Sequence, residues 1–123
     1  MAAGFMRARG SVTTVTPGLG IGSPFDYAQA MDELFPQATM ELADGVTDQA
    51  LIVLGTGGLT TIQALYISST EAISVKLGTT GGNLAFTLAA GAPLVLMGIS
   101  LTLVSLSNAS GAVALVTYTC GGT

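Results

Sequence analysis

The groups in this chain that could do chemistry are nearly all carboxylates. Their densest cluster is Glu41, Asp44 and Asp48, in the stretch ELADGVTD. Three oxygen donors around a turn are a beginning for Ca²⁺, which takes six to eight oxygen ligands. The spacing is not that of an EF-hand loop and the ligand count is short. A polar turn at Asp44-Gly45 is the better reading, and no metal is expected. There is no histidine. That removes the Ser–His–Asp and Cys–His arrangements, the commonest general base and the commonest zinc ligand. Cys120 is the single cysteine. It has no partner for an intrachain disulfide and alternates within an apolar run, as a small buried hydrophobe does. Asp32 and Glu33 are adjacent and read as a solvated face. A hydrolase working through Asp44 and Asp48 would lack a base–nucleophile set. The chain is not expected to be an enzyme, and no cofactor is expected.

The glycine runs are equally poor in chemistry. Gly18-Leu19-Gly20-Ile21-Gly22 follows no strand and opens no helix, so it is not a dinucleotide fingerprint. Gly55 to Gly58 (GTGG) lacks the Lys and Ser/Thr of a phosphate loop. Asn108-Ala109-Ser110 matches a glycosylation sequon but reads better as a hairpin turn, in which Asn and Gly do conformational jobs. The aromatic residues are few and include no tryptophan, so no stacking platform for bases or sugars is visible. Only Arg7, Arg9 and Lys76 are basic, against a net charge of −4. Nucleic-acid binding needs a clustered basic field and is not expected.

These residues must be positioned by β-structure. Lys76 is the last charged side chain, and beyond it the chain runs apolar–polar–apolar, punctuated by Gly, Pro and Asn. Such alternation marks short strands joined by turns. Strands are predicted near 38–43, 50–54, 61–68, 72–77, 84–89, 93–97, 100–107 and 112–119. Ile73, Val75 and Leu77 face one way, and Ser74 and Lys76 the other. Both faces of 61–68 are apolar, which predicts a central or interfacial strand. Asp44-Gly45, Gly78 to Asn83, Ala90 to Pro93 and Asn108 to Gly111 supply the turns. With no helices between strands, the fold class is all-β: a β-sandwich or jelly roll of about eight short antiparallel strands over 37–123. Residues 1–36 are expected to be an extended N-terminal arm. Within it, Phe25, Ala28, Met31, Leu34 and Phe35 recur at helical spacing and predict one short helix near 25–35, ended by Pro36.

Ala85 to Leu106 is uncharged and about as long as a spanning helix. Gly91, Pro93 and Gly98 interrupt it, no Lys or Arg flanks it, and Ser100 and Thr102 keep strand register, so no membrane span is expected. Met1 to Gly10 is followed by no apolar stretch of the secretory kind. With the lone cysteine, this suggests a reducing compartment. The chain is only 8% charged, whereas soluble domains are about 25% charged. So bare a surface is expected to be covered by neighbours.

The stretches ADGVTDQALIVL, ALYISSTEAISVKLG, FTLAAGAPLVLMG and LTLVSLSNASGAVALVTYTCGG resemble small virion structural proteins of tailed bacteriophages. The likeness covers residues 43–122 and is a rhythm of strands and turns, with no active site to carry over. It implies a capsid decoration (cement) protein, assembled in the host cytoplasm and resident in the virion. Its partners would be the major capsid protein and its own copies, as a homotrimer. In that setting Arg7, Arg9, Phe25, Tyr27, Met31, Leu34 and Phe35 are the expected contact residues. The alternative is a tail or host-recognition component that meets a receptor through the loops Gly78 to Asn83 and Asn108 to Gly111.

Overall fold

The computed structural model describes residues 2–16, 19–51, 59–79 and 81–123. The GTGG run 55–58, most of the strand predicted over 50–54, and Gly18 lie outside them. Nine strands are described: β1 (Ala2–Thr16), β2 (Leu19–Leu42), β3 (Gln49–Ala50), β4 (Ile62–Ser69), β5 (Ile73–Thr79), β6 (Gly82–Leu88), β7 (Leu94–Leu101), β8 (Leu103–Ser107) and β9 (Ala114–Gly122). They form a five-stranded sheet in the order β1-β2-β9-β4-β7 and a four-stranded sheet in the order β3-β8-β5-β6. All pairings are antiparallel.

The core lies between the two sheets. Ile73, Val75 and Leu77 of β5 and Val104 and Leu106 of β8 meet Leu65 and Ile67 of β4 and Val116 and Cys120 of β9. The alternation read for β5 holds, since Ser74 is exposed and Lys76 half-buried on the opposite face. Strand β4 runs between β9 and β7. That is the central place its two apolar faces predicted. Burial pushes the Cys120 thiol up to about 11, so the group stays protonated at neutral pH.

Two expectations are corrected. Residues 25–35 are not a helix; they belong to the 24-residue strand β2. Nor are residues 1–24 a lone arm. Residues 2–16 form β1 and 19–24 the first part of β2, and the two strands pair from Ala2↔Leu34 to Thr16↔Leu19. The reason is that FDYAQAMDE satisfies two periods. Phe25, Tyr27, Gln29 and Met31 also alternate, and β1 offers a hydrogen-bonding partner along the whole segment. The break predicted between 97 and 100 also moves. Strand β7 runs through Gly98 at φ 68°, and the chain changes sheets at Thr102, whose N–H donates to the Gly78 carbonyl at 2.9 Å. Ala85 to Leu106 is thereby divided among β6, β7 and β8. No helix among the described residues is long and apolar enough to cross a membrane.

The segment Asn108 to Gly111 is a turn, but not the expected hairpin turn: β8 and β9 belong to different sheets, and it carries the chain from one to the other. Asn108 is 1% exposed. Its Nδ2 donates to the carbonyls of Leu42 and Ala112, both at 2.8 Å, and its Oδ1 accepts from Ser110 N–H at 3.0 Å. Its backbone exchanges bonds with the 45–46 turn, Gly45 N–H to Asn108 O at 2.7 Å and Asn108 N–H to Val46 O at 2.9 Å. One side chain thus ties three segments together. Both amide hydrogens are used inside the fold, which leaves the sequon reading without a free nitrogen.

Candidate functional site

The β1–β2 hairpin does not continue the plane of its sheet. Beyond the β2–β9 pairing (Glu33↔Gly122 to Leu42↔Ala114), it bends over the outer face of that same sheet. Two register shifts mark the bend, one between Phe35 and Ala38 against β9 and one between Ala2 and Gly4 against β2. Extra residues of this kind bend and twist a strand. Proline suits the first, because it has no N–H to offer a ladder.

Three contacts hold the hairpin down. Met31 is 3% exposed although it lies outside the main core. It sits over Gly121 of β9, where a Cβ would come within 2.9 Å of its Cγ. The Gln29 side-chain oxygen accepts from Gly98 N–H of β7 at 2.9 Å. Tyr27 follows, its hydroxyl 3.8 Å from where a Gly98 Cβ would be. Gly121 therefore lets the hairpin approach a surface that a side chain would hold off, whereas Gly98 is required by its left-handed backbone, φ 68°. Across the hairpin itself, the Phe25 ring covers Gly10, whose absent Cβ would lie 3.0 Å from the ring.

Strand alternation gives the hairpin two faces. Phe25, Tyr27, Gln29 and Met31 share one with Met6 and Ala8, toward the sheet. Phe5, Arg7, Arg9 and Asp26 share the other, toward solvent. Register sets Arg9 across from Asp26 and Arg7 one pair further on. Arg7 grips the carboxylate with two bonds, Nε to Oδ1 at 2.8 Å and the terminal nitrogen to Oδ2 at 2.6 Å, while Arg9 Nε stands 3.9 Å away. The Arg7 hydrogen bonds hold the Asp26 carboxyl below the usual carboxylate range, with loss of water opposing and charge attraction adding. The same bonds raise Arg7. A lowered carboxyl contributes its stabilisation above its ordinary pKa, near 4, and loses it as pH falls through the lower folded value. Asp26 is accordingly expected to titrate by NMR below the ordinary aspartate value. Below that point the hairpin amides near Arg7 should exchange faster, and Asp26→Asn should remove the acid dependence.

Between β1 and the outer face of the sheet lies an open groove of about 420 Å3. Phe5, Met6, Arg7, Ala8 and Arg9 form one wall and Tyr66, Val95 and Thr119 the floor, with Phe25 and Leu34 between. Phe5 is 74% exposed, and Phe25, Tyr27 and Val95 remain about half exposed.

The expected contact residues thus divide. Arg7, Arg9, Phe25 and Leu34 come together at the groove, and Tyr27 is exposed beside it. Met31 is buried under the hairpin, and Phe35 packs against the core. The floor residues Tyr66 and Val95 carried no sequence signal beyond their place in alternating strands. The carboxylates Glu41, Asp44 and Asp48 do not converge. Asp44 Oδ1 accepts from Gly111 N–H at 3.0 Å, and Asp48 pairs with Lys76 at 3.0 Å. Among the described residues no group of three acids, cysteines or histidines is placed to hold a metal. No protein-family model and no curated protein matches the chain.

Proposed function

We propose that this protein is a virion structural component of the capsid-decoration type, which bridges subunits of a tailed-phage head through its β1–β2 hairpin. The observation that carries the reading is the exposed apolar set around the groove, Phe5, Phe25 and Val95, on a chain with few charges. Isolated apolar residues on a surface are ordinary, whereas a contiguous group marks an interaction site. The resemblance over residues 43–122 supplies the identity of the partner, the major capsid protein. Self-association as a homotrimer would cover further exposed apolar residues, among them Leu84, Val113 and Leu115.

The experiment is quantitation and reconstitution. Purified particles should contain the protein in hundreds of copies, and heads stripped of it should rebind it and regain resistance to heat. Each buried aromatic side chain is worth roughly 1.5–3 kcal/mol. Phe5→Ser and Phe25→Ser should therefore each weaken head binding by about tenfold or more while leaving the far-ultraviolet spectrum unchanged. Absence from particles would end the reading. A handful of copies per particle would favour the tail alternative.

A further inference from the structure

The groove has a wall of an unusual kind. Strand β1 is an edge strand, paired only with β2. Among the described residues, its backbone enters no other hydrogen bond. Every second residue between Gly4 and Gly10 therefore turns its N–H and C=O away from β2, and unpaired edges of this kind are templates for another strand. Proteins usually blunt them with proline, with charged side chains, above all lysine, or by covering them; the stretch from Gly4 to Gly10 has no proline, and its two charges, Arg7 and Arg9, are of one sign and would admit an acidic partner strand. The hairpin's bend instead brings this edge over a floor of Tyr66, Val95 and Thr119.

We propose that the groove receives an extended segment of a partner protein as an added strand on β1, with apolar side chains alternating with polar ones and a carboxylate among the polar ones. The alternation follows from the two faces. A strand added beside β1 would send one set of side chains down onto Tyr66 and Val95 and the other set out beside Phe5, Arg7 and Arg9. The carboxylate follows from charge. Two guanidinium groups share one aspartate, so the Arg7–Arg9–Asp26 group beside the groove carries one unmatched positive charge, although Asp32 and Glu33 further along β2 make the hairpin as a whole slightly acidic. Asp26 flanks the arginines from the β2 side, and an acid on the added strand would flank them from the open side, where cross-strand pairs of opposite charge are favourable. A small ligand fits the site less well, because the Arg7 guanidinium is already held by Asp26 and the unpaired backbone groups form a line along β1. This mode rests on the reading above only for naming the partner as a coat subunit.

The probe is a nine-residue peptide, capped at both ends, alternating valine and threonine with the central threonine replaced by aspartate. It is titrated into the full chain and followed by fluorescence anisotropy and amide hydrogen exchange. Binding should protect alternate amides between Gly4 and Gly10. N-methylation of the peptide's edge amides should abolish it, aspartate-to-lysine exchange should weaken it at least tenfold, and Phe5→Ser or Val95→Ser should weaken it too. Three results would overturn the proposal: no saturable binding up to millimolar peptide, binding that protects other amides, or protection of the same amides by raised protein concentration alone, which would assign the edge to a second copy. Head binding that survives any of these leaves the decoration role standing and removes only this mode. Loss of head binding with intact peptide binding does the reverse.

Discussion

Gly122→Ala is expected to cost about 3–5 kcal/mol, the upper end of overpacking effects and a large share of the 5–15 kcal/mol of a typical domain. Gly122 pairs with Glu33 of β2 and Ile62 of β4 at once. A Cβ there would collide with the Thr61 carbonyl oxygen and come within 3.0 Å of the Thr61 carbonyl carbon and 3.1 Å of Gln63 N. All three atoms are backbone, so no rotamer change relieves the contact. The end of β4 must move off β9, and it carries the fully buried Ile62 with it. Gly81→Ala is the control, since the nearest atom to its new methyl would be Thr79 Oγ1 at 3.8 Å, and it should stay within about 0.5 kcal/mol. Urea titration decides the matter. Equal midpoints for the two variants would mean that β4 and β9 do not approach this closely.

Asn108→Ala should cost about 2–3 kcal/mol. The cost comes less from the three side-chain bonds lost than from the Leu42 carbonyl they leave at a buried site; the Ala112 carbonyl keeps the Ser110 hydroxyl at 3.0 Å, and Ser110 is exposed. An unsatisfied buried group costs about 1–3 kcal/mol, whereas a satisfied neutral bond contributes about 1. Asn108→Asp separates the roles. It keeps the acceptor for Ser110 but aims a carboxylate at two carbonyl oxygens, so it should be at least as damaging at pH 7 and partly recover in acid as the group is neutralised. A midpoint unchanged in Asn108→Ala would show that the 42–48 and 108–112 segments hold together without it.

The sandwich was largely legible from alternation. The strand β5, with its inward Ile73, Val75 and Leu77, and the turn at Asn108 could be read because the signal in each case is local. The hairpin could not. Phe25, Ala28, Met31 and Leu34 have helical spacing, while Phe25, Tyr27, Gln29 and Met31 have strand spacing, and alanine at 28 and 30 suits either. What decides is a partner strand that begins at the other end of the hairpin, together with contacts to Gly98 and Gly121, which lie far along the chain. The glycines of the first segment read as chain entropy. In the fold, Gly10 is the seat of the Phe25 ring. The groove was hidden for the same reason, since its wall and floor are joined only by that bend.

The position of β9 has a consequence for synthesis. It lies between β2 and β4, and each of these takes one of its two backbone partners from it. While the ribosome is still making residues 114–122, these two strands have no shared neighbour, and the apolar faces of Leu65 and Ile67 have no completed sheet behind them. The nascent chain must keep these segments apart until β9 emerges, then close long loops to pair them. Pairings so distant in sequence form slowly and leave strand edges open to aggregation meanwhile. Slowing translation just before residue 114 should therefore lower the soluble yield more than slowing it anywhere earlier.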